Sequence, residues 1–131
     1  MRFIASRLKY REASVMFGDT KLRLLLADTF LKNAIGLMYR DSIPLDGMLF
    51  IIKRKSRQGI WMKNMRFPID IIWVYTDGRV CDIAHSVSPC KGINCKVYRP
   101  WDSVSFVIEL SSGKCKRLGI SKDSKLEVKT G

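Results

Sequence analysis

The stretch that decides the fold is GIWMKNMRFPIDIIWVYTDGRV, residues 59–80. Residues 69–75, IDIIWVY, are nearly all apolar and rich in β-branched and aromatic side chains, which is typical of a buried strand. Asp77 and Gly78 follow, and an Asp-Gly pair between two β-rich runs predicts a two-residue hairpin loop. Residues 79–87 are therefore expected to return as the next strand.

Polar residues interrupt this apolar stretch, and each is either exposed, held in a structural hydrogen-bond network or part of a ligand site. If WMKN is a strand, Trp61 and Lys63 share one face and Met62 and Asn64 the other. We expect Lys63 at a rim, where its ammonium group can make a cation–π contact with Trp61. The Asn64 amide either bonds backbone groups left open near Pro68 or belongs to a shallow pocket. That pocket would suit a small polar ligand and would be bordered by Trp61, Lys63, Asn64, Asp70 and Glu109.

The hairpin suggests one catalytic alternative. A two-residue loop at Asp77 and Gly78 places Asp70 opposite His85 on one face of the sheet. An Asp-His pair can orient a general base, and Cys90 is a further candidate nucleophile beside nearby lysines. The alternative is a structural cross-strand ion pair, and a one-residue bulge would separate the two side chains altogether.

The cysteines leave three interpretations open. Cys90 and Cys95 could close a small loop by a disulfide, all four cysteines could be free thiols, or zinc could be held by four thiolates or by three of them with His85. No second closely spaced cysteine pair supports zinc. Methionines could bind copper(I), but methionine is also a common filler of apolar cores. The sequence therefore predicts no cofactor and no metal site.

Composition indicates one globular domain over residues 1–131, with residues 1–11 as a basic N-terminal extension. The formal net charge is +12, which attracts polyanions and makes nucleic-acid binding an alternative function. No uncharged apolar run reaches the roughly 18 residues of a membrane span, and the N-terminus lacks the apolar core of a signal peptide. We therefore expect a cytoplasmic monomer that does not associate with membranes.

The remaining patterns predict a mainly β domain: an antiparallel sandwich or partly open barrel of about seven short strands, with one or two short helices. Helical spacing within residues 27–40 predicts a helix, with Asp28 or Thr29 as its cap and Gly36 weakening its end. The run KRKSRQG at residues 53–59 is expected to form a basic turn between two strands.

Three blocks together resemble a known family. GLMYRDSIPLDGMLFII, IWMKNMRFPIDIIWVYTDGRV and VIELSSGKCKRLGI, in this order, are similar to an uncharacterised bacterial and archaeal family, domain of unknown function number 192, also called uncharacterised protein family 0127. The resemblance covers about residues 20–130 and implies a mainly β, sandwich-like domain with a short helix. It implies no activity. The family pattern usually has threonine after WMKN, whereas this chain has Met65.

The sequence thus favours a non-catalytic module that binds a small polar ligand or a protein partner. Nucleic-acid binding through the basic surface is the first alternative. An enzyme using Asp70 and His85 is the second.

Overall fold

The computed structural model describes residues 8–131, and most of the expected extension at residues 1–11 lies outside that range. Within residues 8–131 the chain forms nine β-strands and two short α-helices. In chain order these are β1 (Arg11–Phe17), β2 (Thr20–Ala27), α1 (Phe30–Ile35), β3 (Gly47–Ser56), β4 (Ile60–Trp61), β5 (Ile69–Val74), β6 (Val80–Val87), β7 (Val97–Tyr98), β8 (Val104–Ser111), α2 (Lys114–Leu118) and β9 (Glu127–Lys129).

Seven strands form one sheet in the order β6-β5-β8-β3-β2-β1-β9, which curls into a half-barrel. The mainly β prediction is confirmed. One pair departs from the antiparallel expectation: β2 runs parallel to β3. A parallel pair needs a crossover rather than a tight turn, and the segment containing α1 supplies it. Strands β4 and β7 form a separate two-stranded ribbon.

Apolar side chains cover both faces of the sheet. On the central strand β8, Ile108 and Leu110 pack into one cluster with residues of β1, β2 and β9. Val107 points to the opposite face, where it packs with Phe50 and Trp73 against the segments around α1 and β4. Burial on both faces explains why the central strands read as continuous apolar runs rather than as alternating patterns.

The helix is shorter than the predicted span. It begins after Thr29, whose Oγ1 accepts a hydrogen bond from the Lys32 backbone N–H at 3.2 Å, as expected of a cap. It ends at Gly36, which has φ of 52°, a conformation that glycine adopts without strain. The predicted basic turn is wrong in part, because β3 continues through residues 53–56 before the chain turns.

The hairpin between β5 and β6 has three loop residues instead of the two predicted: Tyr75 N–H donates to the Arg79 carbonyl at 2.9 Å. Ile72 pairs with Ile83, but Ile69 pairs with Val87, so β6 carries an extra residue between these positions. The predicted pairing of Asp70 with His85 is therefore wrong, because the bulge separates the two side chains. His85 is exposed, whereas Asp70 is fully buried.

The predicted strand through WMKN is also wrong beyond Trp61. Strand β4 stops there, and Asn64 has φ of 63°, in the left-handed region. Left-handed backbone belongs to turns rather than strands, and asparagine tolerates it better than most residues. The chain therefore turns at Asn64, and the side chains before and after it do not alternate between two sheet faces as they would in a strand.

Candidate functional site

A cavity of about 220 Å³ lies between the α1 region, the start of β4 and one face of the large sheet. We call it the Glu109 cavity. Polar and apolar atoms contribute about equally to the cavity surface. Three lining residues carry amide or carboxyl side chains, namely Asn33, Gln58 and Glu109. The others are apolar residues or glycine: Ala34, Ile35, Gly36, Leu37, Met38, Phe50, Gly59, Ile60, Trp61 and Met65.

Glu109 forms part of the sheet wall of this cavity. It lies in β8 directly opposite Met48 of β3 and Ile71 of β5, both fully buried, and is itself only 4% exposed. Within residues 8–131 its carboxyl oxygens have no hydrogen-bond or ion-pair partner. Burial raises the pKa of Glu109 to about 8, because the apolar surroundings disfavour the carboxylate. An unpartnered acid with a strongly raised pKa in a cavity is a recognised mark of a functional site.

Two amides supply the other polar side chains of the cavity. The Asn33 side-chain N–H group donates to the Ile51 carbonyl at 3.4 Å, whereas its Oδ1 is buried with no partner among the described residues. The Gln58 side-chain nitrogen donates to the Gly59 carbonyl at 3.1 Å. Each amide nitrogen carries two N–H donors and makes one of these hydrogen bonds, while the buried Asn33 oxygen is left as an open acceptor.

Aromatic side chains lie in the cavity lining and on the helix that borders it. Trp61 lines the cavity yet is 48% exposed, so one part of the ring meets solvent. Phe30 is 88% exposed and precedes the cavity residues Asn33 and Ala34 by one turn of α1, which places it on the same side of the helix. Exposed aromatic groups beside a concave site are typical of ligand contact.

Lys63 contacts Trp61, with Nζ 5.3 Å from the ring centroid. This is the cation–π contact that the sequence suggests. We call the part of the lining formed by Trp61 the tryptophan wall. Lys63 does not line the cavity, so its ammonium group lies at the outside of this wall.

Asn64 supports the cavity rather than lining it. Its carbonyl accepts a hydrogen bond from Tyr39 N–H at 2.9 Å, and its side-chain amide approaches the Met38 sulfur at 3.9 Å. These contacts tie the turn after β4 to the turn after α1, and Met38 and Met65 from these two turns both line the cavity. Neither interpretation of Asn64 is met as stated: among the described residues its amide contacts the Met38 sulfur rather than backbone groups near Pro68, and Asn64 does not line the cavity.

A disulfide joins Cys90 to Cys95, with their Cα atoms 5.7 Å apart. As half of a disulfide, Cys90 is not a thiolate nucleophile. The loop it closes is docked on the WMKN turn: Cys90 N–H donates to the Met62 carbonyl at 3.1 Å. Just beyond the loop, Val97 pairs with Trp61 in the β4–β7 ribbon. The disulfide therefore braces the strand that carries the tryptophan wall.

Asp70 lies outside the Glu109 cavity, contrary to the predicted common pocket. Its carboxylate accepts hydrogen bonds from the backbone N–H groups of Ser86 (2.8 Å), Gly113 (3.2 Å) and Cys115 (3.0 Å). Burial alone would raise the pKa of Asp70, but these donors outweigh it and lower the pKa below its usual 3.8. Asp70 is thus a structural anion that anchors the β6 bulge and the start of α2.

A larger cavity of about 500 Å³ lies at the turn end of the sheet, but its polar groups are already paired. Lys125 donates to the Asp77 carbonyl, and the Thr76 and Ser105 hydroxyl groups are hydrogen-bonded to each other. This pairing leaves less need for a ligand there than in the Glu109 cavity.

Two further observations bear on possible partners. Within residues 8–131, no group of three or more histidine, cysteine, aspartate or glutamate side chains is arranged to hold a metal ion. The same part of the chain contains no helix that is both long and apolar enough to cross a membrane.

Sequence reasoning named Trp61 and Glu109, which the structure brings to one cavity, but missed Asn33, Phe50 and Gln58. The sequence holds one signal for Asn33: it lies in the helical run of residues 27–40, next to Ala34 on the apolar face of that run. Phe50 and Gln58 carry no such signal, since their part in the cavity depends on how distant segments pack.

Residues 13–128 match the family domain of unknown function 192, described as "Uncharacterized ACR". A crystal structure of a "putative transcription regulator" from Sinorhizobium meliloti 1021 is 27% identical with a TM-score of 0.81, covering 93% of this chain and 97% of that one. A protein of unknown function from Novosphingobium aromaticivorans DSM 12444 is 29% identical with a TM-score of 0.77, covering 93% and 87%. No curated protein is significantly similar to the chain.

Proposed function

The chain belongs to the domain of unknown function 192 family, and from the geometry of its cavity we propose that it binds a small, hydrogen-bond-donating molecule at Glu109. The observation that carries this proposal is the Glu109 carboxyl group, which is buried without any partner among the described residues. Leaving such a group unpaired costs stability, so a partner supplied from outside the chain gives a reason for its presence.

The lining also limits the ligand by charge. Although the chain has 24 lysine and arginine residues, none of them is among the described residues that line this cavity. A phosphate or carboxylate ligand would find no lysine or arginine in the lining to pair with its charge. The proposal therefore concerns uncharged or cationic molecules.

The size of the cavity limits the ligand further. Drug-sized ligands occupy pockets of about 300–1,000 Å³, and the Glu109 cavity has about 220 Å³. The aromatic and methionine side chains of the lining, beside the polar groups, suit a compact ligand with an apolar body and one polar end.

A fragment screen by protein-observed NMR tests the proposal. Fragments that bind should shift the backbone amide signals of Ala34, Gly36 and Gly59, which line the cavity. Trp61→Ala should weaken these fragments at least tenfold. Trp101→Ala is the matched control, because Trp101 is also an exposed tryptophan but lies outside the cavity. The proposal fails if no fragment binds or if the hits bind equally well without Trp61.

Nucleic-acid binding is a second candidate, favoured by the cluster of exposed Lys53, Arg54 and Lys55 at the end of β3. The S. meliloti protein is described as a "putative transcription regulator", and that description of the neighbour points in the same direction. Replacing these three residues with alanine should reduce the salt slope of duplex DNA binding in fluorescence anisotropy. Binding that is absent at 150 mM salt, or unchanged in the triple variant, would remove this candidate.

The expected cytoplasmic location and monomeric state stay predictions. Fractionation of the native host cell and sedimentation velocity of the purified chain would test them.

A further inference from the structure

We propose that the ligand of the Glu109 cavity is a small organic ammonium ion, whose charged head pairs with Glu109 and whose apolar body lies along Trp61. This inference rests on the proposed function and names the ligand class of that same site.

The hydrogen-bonding inventory of the cavity is the first argument. Glu109 and the Asn33 Oδ1 accept no hydrogen bond from the described residues, while the side-chain nitrogens of Asn33 and Gln58 each donate once to a backbone carbonyl. When Glu109 is ionised, its two oxygens and the Asn33 Oδ1 are three acceptors without a donor, and a ligand that brings several donors can pair them. A primary ammonium group carries three donors and no acceptor, whereas an alcohol carries one donor.

The walls of the cavity are the second argument. Phe50 and Trp61 present aromatic rings, whose faces attract cations. Trp61 already makes such a contact with the Lys63 ammonium group on the outside of the wall. Methionine side chains at 38 and 65 add polarisable surface that adapts to an apolar ligand body.

The charged groups around Glu109 permit this pairing. Its strand neighbours are Met48 and Ile71, and Glu109 is the one titratable side chain among the described residues of the lining. On α1, Lys32 does not line the cavity and lies 3.8 Å from Asp28. Two further cations lie beside cavity residues without lining the cavity: Lys63 contacts Trp61, and the Arg99 guanidinium lies against Gly59 and donates to the Arg57 carbonyl at 3.1 Å.

Binding should release a proton. Burial raises the pKa of Glu109 to about 8, so the empty cavity holds a neutral carboxyl group at pH 7. The ammonium ion stabilises the carboxylate, and the carboxyl proton leaves to solvent as the ion pair forms. The ligand keeps its own proton throughout, and no bond other than the Glu109 O–H is broken.

Isothermal titration calorimetry with three probes of one shape tests the inference: benzylammonium, benzyl alcohol and benzoate. Benzylammonium should bind best, and its affinity should rise about tenfold from pH 6 to pH 7, since one proton is released. Two buffers with different ionisation enthalpies should report that proton directly. Glu109→Gln should abolish the pH dependence and weaken benzylammonium at least tenfold, whereas the exposed Glu127→Gln should change neither.

The possible failures are distinguishable. If benzyl alcohol binds at least as tightly as benzylammonium, or Glu109→Gln leaves benzylammonium unchanged, the ammonium class is wrong. In that case the proposed function still stands if Trp61→Ala removes the binding that is seen. If none of the three probes binds and the fragment screen also finds no ligand in the cavity, both proposals are wrong.

Discussion

Asp70 and Glu109 are buried carboxyl groups on adjacent strands, and they face opposite sides of the same sheet. Asp70 opposes Leu110, whereas Glu109 opposes Ile71, so the pleat separates the two acids. Asp70 accepts three backbone hydrogen bonds, and Glu109 accepts none from the described residues. One acid therefore stabilises the fold, and the other is a cost to it in the absence of a ligand.

Asp70→Asn should destabilise the protein by roughly 3 kcal/mol, because the amide is neutral and turns a donor toward backbone N–H groups. The lowered pKa also gives a pH dependence. The stabilisation by Asp70 is complete above its unfolded pKa of about 4 and is lost as pH falls through the lower folded value. Urea unfolding at pH 7 and at pH 3 measures both effects. Asp19→Asn, in an exposed turn, is the control; an equal loss there would contradict the role of Asp70.

Glu109→Gln should stabilise the protein at alkaline pH. The folded pKa of about 8 lies above the usual 4.5, so the unfolded chain ionises first and stability falls as pH rises between these values. Gln carries no such penalty. Its advantage over Glu109 should be near zero at pH 4 and grow to several kcal/mol at pH 9, on the order of 1.4 kcal/mol for each pH unit.

Thermal and urea unfolding of both proteins from pH 4 to pH 9 measures this difference. Glu127→Gln, at an exposed position, should show no such trend. A constant difference between Glu109→Gln and the native protein at every pH would contradict the buried, unpaired state of Glu109. A more stable variant that binds ligand less well is the usual relation between a functional residue and its fold.

Local chemistry made the main strands predictable. The apolar runs of β3, β5 and β8 are continuous because both faces of the sheet are buried, and the Asp77-Gly78 signal placed the hairpin correctly. Two details failed, loop length and register: the loop has three residues instead of two, and an extra residue in β6 moves His85 out of line with Asp70. No local pattern marks this bulge, because it is held by the Asp70 carboxylate from the neighbouring strand.

The cavity was predictable only in part for the same reason. Trp61 and Glu109 are unusual residues within apolar strands, so the sequence marks them. Asp70 is likewise an acid within an apolar strand, so the sequence does not distinguish it from Glu109. What distinguishes them is a backbone hydrogen bond that Asp70 accepts from Cys115 of α2, 45 residues further along the chain. Non-local packing decides between a structural and a functional carboxyl group.

The four cysteines should fall into two classes. Burial raises the pKa of the Cys115 thiol to about 12, with the Asp70 charge adding to the effect, and Cys81 is buried as well. After mild reduction, native protein should label rapidly at Cys90 and Cys95, and at Cys81 and Cys115 only on unfolding. Mass spectrometry after iodoacetamide treatment in native and denaturing buffer measures this. Rapid native labelling of Cys115 would contradict its burial.

The disulfide should also hold the cavity wall. Replacing Cys90 and Cys95 together with serine removes a short loop closure, which costs about 2 kcal/mol in the chain-entropy account. Because this loop is hydrogen-bonded to the Met62 carbonyl next to Trp61, the fluorescence of Trp61 should shift toward that of a more exposed ring. Making the same cysteine replacements in a Trp61→Phe background shows which part of the fluorescence change comes from Trp61. Unchanged Trp61 emission would separate the disulfide from the cavity.

Gly47 should tolerate no side chain, because a Cβ there would lie 2.0 Å from the Glu109 carbonyl oxygen. Its φ of 146° is also unfavourable for other residues. Gly47→Ala must push β3 away from β8 beside the cavity, and we expect a loss of more than about 2 kcal/mol. Gly18→Ala is the matched control: its φ is positive at 57°, but the added methyl group meets no atom within 4 Å. Gly18→Ala should therefore lower the free energy of unfolding in urea by about 1 kcal/mol. Equal losses for the two variants would show that backbone strain, and not the close contact between strands, requires glycine at position 47.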